Sequence, residues 1–110
     1  MDWTRIEEFA KIRPADNTVA DLHVARCLAA AAAGETEACY ELGVIFSTGS
    51  RDVAGDLVEA HKWFNLAAVA GHEEAALCRA DISDEMTARE IAEAQRRARE
   101  WLRADERRAA

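Results

Sequence analysis

The sequence predicts an all-α domain built from stacked helix pairs, and three observations lead to this prediction. The chain has 110 residues, the usual size of one domain, and half of them are apolar while only 6% are aromatic. Alanine is abundant, proline occurs once, and strand-favouring clusters are scarce. A segment ending at Gly34 recurs 37 residues later and ends at Gly71. Together these favour a short α-solenoid, an α/α superhelix, over residues 1–110.

The internal repeat extends to both sides of its two glycines. Each glycine follows an alanine-rich segment and precedes acidic residues and an alanine, as where one helix ends and the next begins. We divide the chain into repeats at about residues 1–34, 35–71 and 72–106, each a short helix followed by a long one. About three stacked pairs are the usual minimum for a shared core.

Apolar spacing places the helices. The first segment, Trp3 to Ile12, is amphipathic, ends before Pro14, and is either a degenerate first helix or a mobile segment. Further helices are predicted at about residues 18–33, 36–47, 56–70, 73–82 and 87–106. The predicted inward-facing residues follow a 3.6-residue period. They are Leu22, Ala25, Leu28, Ala29 and Ala32; Ala38, Leu42 and Ile45; Leu57, Ala60, Phe64, Ala67 and Ala68; Ala75, Ala76 and Ala80; and Ile91, Ala94, Ala98, Trp101 and Leu102.

Two helix starts are marked by capping residues. Asp56 is followed by Glu59, and Thr87 by Glu90, at the spacing of a capping box. In this motif each side chain satisfies a free amide of the first turn. Two long helices are therefore expected to begin directly after Asp56 and Thr87.

One pattern covers residues 38–75 and consists of Ala38, Leu42, Gly43, Gly49, Val53, Asp56, Ala60, Trp63, Phe64, Ala67, Ala68, Gly71, His72 and Ala75. It resembles the Sel1-like repeat, a relative of the tetratricopeptide repeat. Residues 35–71 match best and residues 1–34 only weakly. The segment from Met86 to Gln95, followed by Trp101, is similar to the closing segment of many bacterial members. The loop from Gly49 to Asp56 departs from the family pattern, because it is one residue longer and lacks the second glycine.

The resemblance implies a curved solenoid whose short helices line the concave face. It also implies an adaptor in protein complexes rather than an enzyme. The signature residues have packing reasons of their own: Gly43 and the pair Ala67 and Ala68 are small where two helix axes approach closely, and Gly49 permits a turn.

The concave face is predicted from helix geometry. If Ala38, Leu42 and Ile45 face inward, the residues Tyr40, Val44 and Ser47 project from the other side, and the 37-residue offset adds Leu77, Asp81 and Asp84. We take Tyr40, Val44, Leu77, Asp81 and Asp84 as the candidate partner-binding residues. They suit a protein or peptide segment with apolar anchors and basic flanks. Alternatively, these groups cover the core, or are themselves covered by Trp3, Ile6 and Phe9.

Charge argues against a general nucleic-acid or membrane binder, because the formal net charge is −7. Residues 89–110 nevertheless hold seven arginines against five acids, a net of +2, which leaves −9 on the first 88 residues. Nucleic-acid binding through this arginine-rich helix is an alternative function. Several of its charges are expected to be paired at i, i+4 spacing: Arg89 with Glu93, Glu93 with Arg97, and Arg96 with Glu100.

Self-assembly through Trp101 and Leu102 at the end of the stack is another alternative.

No motif for catalysis or metal binding stands out. The cysteines Cys27, Cys39 and Cys78 form no CxxC pair and are expected to be free thiols. The histidines His23, His61 and His72 fall in no HExxH motif, and we place none beside a cysteine at ligand spacing. His72 is expected to be structural, and His23 and His61 to be surface or partly buried. We therefore predict no enzyme, cofactor or metal.

The N-terminus lacks the basic start and apolar run of a secretory signal, and no stretch approaches the roughly 20 apolar residues that span a bilayer. A cytoplasmic location is the expectation.

Overall fold

The computed structural model describes residues 15–49 and 55–109, with side chains described for residues 22–49 and 55–108. Within these ranges the chain is all-helical and contains no strand. The helices are α1 (Ala15–Ala32), α2 (Thr36–Thr48), α3 (Leu57–Val69), α4 (Glu73–Ser83) and α5 (Ala88–Ala109). The prediction of an all-α fold is confirmed. The predicted segment from Trp3 to Ile12 and most of the loop between Gly49 and Asp56 lie outside the described residues.

Helix α3 is the centre of the packing. It contacts α2, α4 and α5, while α1 packs on α2 and the short helices α2 and α4 touch each other more lightly. The consecutive helices α1 and α2, α2 and α3, and α3 and α4 therefore form packed pairs, and each pair buries an apolar face that neither helix could bury alone. Helices α4 and α5 instead each pack on α3.

The joints after α1 and α3 have the same geometry. Gly34 and Gly71 adopt positive φ angles of 94° and 102°, in which a Cβ would be strained. At both joints the glycine amide donates to the carbonyl three residues back, and the next amide donates to the carbonyl five residues back. The predicted helix-ending role of the two glycines is confirmed.

The helix starts also follow their capping residues. The Asp56 carboxylate accepts from the Glu59 amide at 3.1 Å, so Asp56 caps α3. At α5 the capping box is complete, because Thr87 Oγ1 accepts from the Glu90 amide at 3.1 Å and the Glu90 carboxylate accepts from the Thr87 amide at 2.8 Å.

The core between α2 and α3 combines a few large side chains with small ones. Leu42, Trp63 and Phe64 are the largest fully buried side chains, and Ala60 and Ala67 beside them have no exposed surface. Gly43 lies directly against the Phe64 ring, and a Cβ at this position would overlap three of the ring carbons. The absence of a side chain at Gly43 therefore sets how closely α2 approaches α3.

The predicted inward face of α1 is wrong. Leu22, Ala25, Leu28 and Ala29 are exposed, whereas Cys27 and Ala31 are buried against α2. The helix is apolar around most of its circumference, so residue spacing did not identify the face that packs. Ala80 and Leu102 were also expected inside, and both are exposed.

The expectation that His61 is a surface or partly buried residue is also wrong. Its side chain is only 3% exposed, because α3 is covered on several sides rather than on one stripe. Its Nδ1 has no hydrogen-bond partner among the described residues. Burial, together with the positive charge of Arg79, lowers the pKa of His61.

We predict that Gly43→Ala lowers the free energy of unfolding by about 1 kcal/mol. Helix propensity alone would favour alanine by about 1 kcal/mol, but overlap with a buried ring costs about 1–3 kcal/mol. Urea unfolding followed by circular dichroism measures the balance. In a Phe64→Leu background, which removes the ring, Gly43→Ala should cease to be destabilising. If Gly43→Ala stabilises the otherwise unchanged protein, the proposed close approach is wrong.

We predict that buried His61 makes the protein less stable in mild acid. Because its pKa is lower in the folded than in the unfolded chain, the unfolded chain binds more protons below about pH 6.5. Stability contributed by neutral His61 is present above that pH and is lost as the pH falls towards the lowered pKa. Denaturant unfolding at pH 7 and pH 5 should show a smaller decrease for His61→Gln than for the unchanged chain. An equal decrease in both proteins would exclude this role for His61.

Candidate functional site

Tyr40 joins the two short helices at the predicted concave face. Its ring stacks on the His72 imidazole, with centroids 4.4 Å apart and planes 14° from parallel, and lies 5.9 Å from the Phe64 ring. Partial burial is the main cause that raises the pKa of Tyr40. Tyr40 is therefore a half-buried bridge between α2 and α4 rather than a freely projecting side chain.

His72 lies at the N-cap of α4, the helix start at which the sequence placed it. Its Nδ1 accepts from the Ala75 amide at 3.1 Å, and its Nε2 lies 3.0 Å from a Glu37 carboxylate oxygen. Because Nδ1 accepts, Nε2 must carry the proton and donate to Glu37. His72 thus caps α4, bonds to α2 and supports the Tyr40 ring at once.

The other predicted contact residues differ in exposure. Leu77 is 63% exposed, Asp81 is exposed one turn further along α4, and Asp84 is exposed at the C-cap of this helix. Val44, by contrast, is half-buried and packs against the core. Among the candidate partner-binding residues, Tyr40 and Val44 therefore support the packing of the helices. Leu77, Asp81 and Asp84 are exposed and accessible to a partner.

A second cluster, formed by His23, Cys27 and Glu41, lies where α1 packs on α2. Cys27 Sγ donates to a Glu41 carboxylate oxygen at 3.3 Å, His23 Nε2 lies 3.9 Å from Sγ, and His23 Nε2 and the same Glu41 oxygen are 4.0 Å apart. Burial, followed by the hydrogen bond to Glu41 and its negative charge, raises the pKa of Cys27 to about 11.

The sequence analysis did not predict this cluster, although the spacing of two of its three residues, His23 and Cys27, indicates that they are close. His23 and Cys27 are four residues apart, so one helical turn brings them to the same face. The premise that no histidine lies at ligand spacing from a cysteine is therefore wrong. Glu41 was harder to find, because its proximity depends on how α1 packs on α2.

The arginine-rich helix α5 is held by ion pairs. Arg96 binds Glu93 at 2.6 Å and Glu100 at 2.7 Å, and Arg97 binds Glu93 at 2.8 Å. The predicted pairs of Glu93 with Arg97 and of Arg96 with Glu100 are confirmed. Between the described residues Arg89 and Glu93 no ion pair forms, because Arg96 and Arg97 occupy the Glu93 carboxylate.

Helix α5 is also fastened to α3. Arg97 reaches Glu59 at 2.7 Å, and the Trp101 ring meets the buried Trp63 ring edge-on, with centroids 4.9 Å apart. Leu102 is 41% exposed and lines a shallow groove with Trp101 and Ala31. Trp101 therefore packs against the core. Of the two residues predicted to mediate self-assembly, only Leu102 is exposed.

No protein-family model, curated protein or solved structure matches this chain. Among the described helices, none has the length and apolar character needed to cross a bilayer.

We predict that His72 stabilises the fold mainly by capping α4. His72→Ala removes the cap, the Glu37 bond and the stack, and should lower the free energy of unfolding by about 1–2 kcal/mol. His72→Asn restores a capping oxygen and should recover most of that loss in denaturant unfolding. If His72→Asn is as unstable as His72→Ala, the Tyr40 stack or the Glu37 bond dominates instead.

Proposed function

We propose that this chain is a non-catalytic protein-interaction module in which Sel1-like helix pairs stack as a short α-solenoid. The matching joints at Gly34 and Gly71 support a repeat of about 37 residues. The predicted order of a short helix followed by a long one is wrong for residues 35–71, because α2 and α3 have 13 residues each, and it holds only for α4 and α5. The short helices α2 and α4 would line the concave face, as in the family that the sequence resembles. A stacked scaffold of this kind offers an extended surface to a partner.

The single observation that carries the proposal is the exposure of Leu77 on an acidic face. Leu77 is a large apolar side chain that is 63% exposed. Full burial of such a side chain by a partner would contribute about 1.5–3 kcal/mol of favourable free energy to binding. Exposed acids lie on the same helix, namely Glu73, Glu74 and Asp81, and Asp84 follows at its C-cap. The occupant that fits is a protein segment with an apolar anchor for Leu77 and basic residues on either side.

The groups around this face favour binding over catalysis. His72 uses both ring nitrogens in hydrogen bonds, one to the Ala75 amide and one to Glu37. Burial raises the pKa of both Tyr40 and Cys78, which keeps these groups protonated near neutral pH. The face therefore presents packing and hydrogen-bonding surfaces instead of an activated nucleophile with its base.

Nucleic-acid binding through α5 is the alternative, and the ion pairs of that helix weaken it. Arg96, Arg97 and Arg108 each bind a carboxylate of the chain. A phosphate would have to displace those carboxylates, so fewer arginines are available than their number suggests.

We predict that Leu77→Arg abolishes binding of a peptide that carries an apolar anchor and lysine or arginine flanks. The substitution removes the apolar contact and places a positive charge among the acids, so affinity should fall at least about tenfold. Fluorescence anisotropy with labelled peptides from such a library measures it. A matched library with acidic flanks should bind more weakly. Equal binding by the two libraries would contradict the proposed charge complementarity.

Val69→Arg is the matched control for Leu77→Arg. Val69 is also apolar and is 67% exposed, but it lies at the end of α3. It should leave both peptide binding and helical circular dichroism unchanged. Tyr40 is a poorer choice for a charged substitution, because it supports the packing of α2 against α4. If Leu77→Arg binds as well as Val69→Arg, this face is not the docking site.

A further inference from the structure

We propose that His23, Cys27 and Glu41 form a binding site for one Zn²⁺ ion, with water as the fourth ligand. This site lies between α1 and α2 and uses none of the residues assigned to partner binding. Its three donors are an imidazole nitrogen, a thiol sulfur and a carboxylate oxygen, all within 4.8 Å of one another. These are the donor types that Zn²⁺ takes in proteins.

The distances between the three donor atoms are close to those of a tetrahedral zinc site. Bonds of about 2.0–2.3 Å at tetrahedral angles place two ligand atoms about 3.4–3.6 Å apart. The observed separations are 3.3, 3.9 and 4.0 Å. Cys27 is buried and fixed, while the side chains of His23 and Glu41 are 57% and 52% exposed. Small rotations of these two exposed side chains would bring all three atoms to bonding distance of one ion.

Charge also matches a divalent cation. A thiolate and a carboxylate with a neutral imidazole carry two negative charges, which one Zn²⁺ neutralises. Zn²⁺ takes cysteine as the thiolate, so binding must release the Cys27 proton, as in other thiolate sites. The cleft beside the cluster is open and is lined by Glu35 and Glu37 as well as by one cation, Arg26. Its acids attract a cation, and its opening leaves room for water at the fourth position.

A bound ion would tie α1 to α2. Two of the ligands lie on α1 and one on α2, and α2 is the main packing partner of α1 within the described chain. Leu22 and Leu28 on the exposed side of α1 are not buried by this packing. A ligand bound only by the folded state raises the thermal midpoint in proportion to the logarithm of its concentration. Zn²⁺ should therefore stabilise the chain chiefly through the docking of α1.

Titration with Co²⁺, which reports the zinc geometry spectroscopically, tests the site in the full chain after reduction and removal of metal. We expect one equivalent to produce a thiolate-to-cobalt absorption band together with the strong visible bands of tetrahedral Co²⁺, and Zn²⁺ to bleach both. Competition with a chromophoric chelator gives the Zn²⁺ affinity. Even substitution of groups that only orient metal ligands costs about 10–100-fold in affinity. Cys27→Ser, His23→Gln and Glu41→Gln should each lose at least that much.

Cys39→Ala is the matched control, because Cys39 is a second buried thiol that lies outside the cluster. It should keep the cobalt spectrum and the affinity for Zn²⁺. His23→Gln changes an exposed side chain, so helical circular dichroism should confirm that its loss of binding is not a loss of folding. The proposal is overturned if the thiolate band is absent, if it survives Cys27→Ser, or if His23→Gln and Glu41→Gln bind Zn²⁺ as tightly as the unchanged chain.

Discussion

The close contact between Gly43 and the Phe64 ring is the constraint on which the other arrangements depend. It allows α2 to lie directly against α3, the helix that also contacts α4 and α5. With α2 fixed there, Tyr40 reaches the His72 ring at the start of α4, and Glu41 reaches Cys27 on α1. A side chain at Gly43 would push α2 outwards and lengthen both contacts. One missing Cβ therefore positions the groups of both candidate sites.

The core gains stability from a few large side chains set among alanines. Buried alanines contribute little apolar area each, so Trp63, Phe64 and Leu42 supply a large share of what the core removes from water. The highly charged helix α5 joins this core through two different contacts. Trp101 packs edge-on against Trp63, and Arg97 pairs with the half-buried Glu59, whose pKa is lowered by Lys62 and Arg97 despite its burial. Aromatic packing and a charge network thus act together on one helix.

Local signals made much of this fold predictable from sequence, whereas contacts between helices were not. The glycine joints and capping residues act within one or two turns, so they identified the helix ends. The packed face of α1 and the burial of His61 depend on which neighbours cover each helix. An alanine-rich helix offers several equivalent faces, and spacing cannot choose among them. Cys27 and Glu41 likewise meet only through packing, although the one-turn spacing of His23 and Cys27 was readable in advance.

The two candidate sites use different sides of α2. Tyr40 and Val44 are four residues apart, so they share the side turned to α4 and the core. Glu41 lies about 100° further round the helix from Tyr40, on the side turned to α1. A peptide over α4 and a cation beside α1 would therefore share no ligand. The two sites nevertheless come close at Glu37, because this residue bonds to His72 on α4 and also lines the cleft beside the cation cluster.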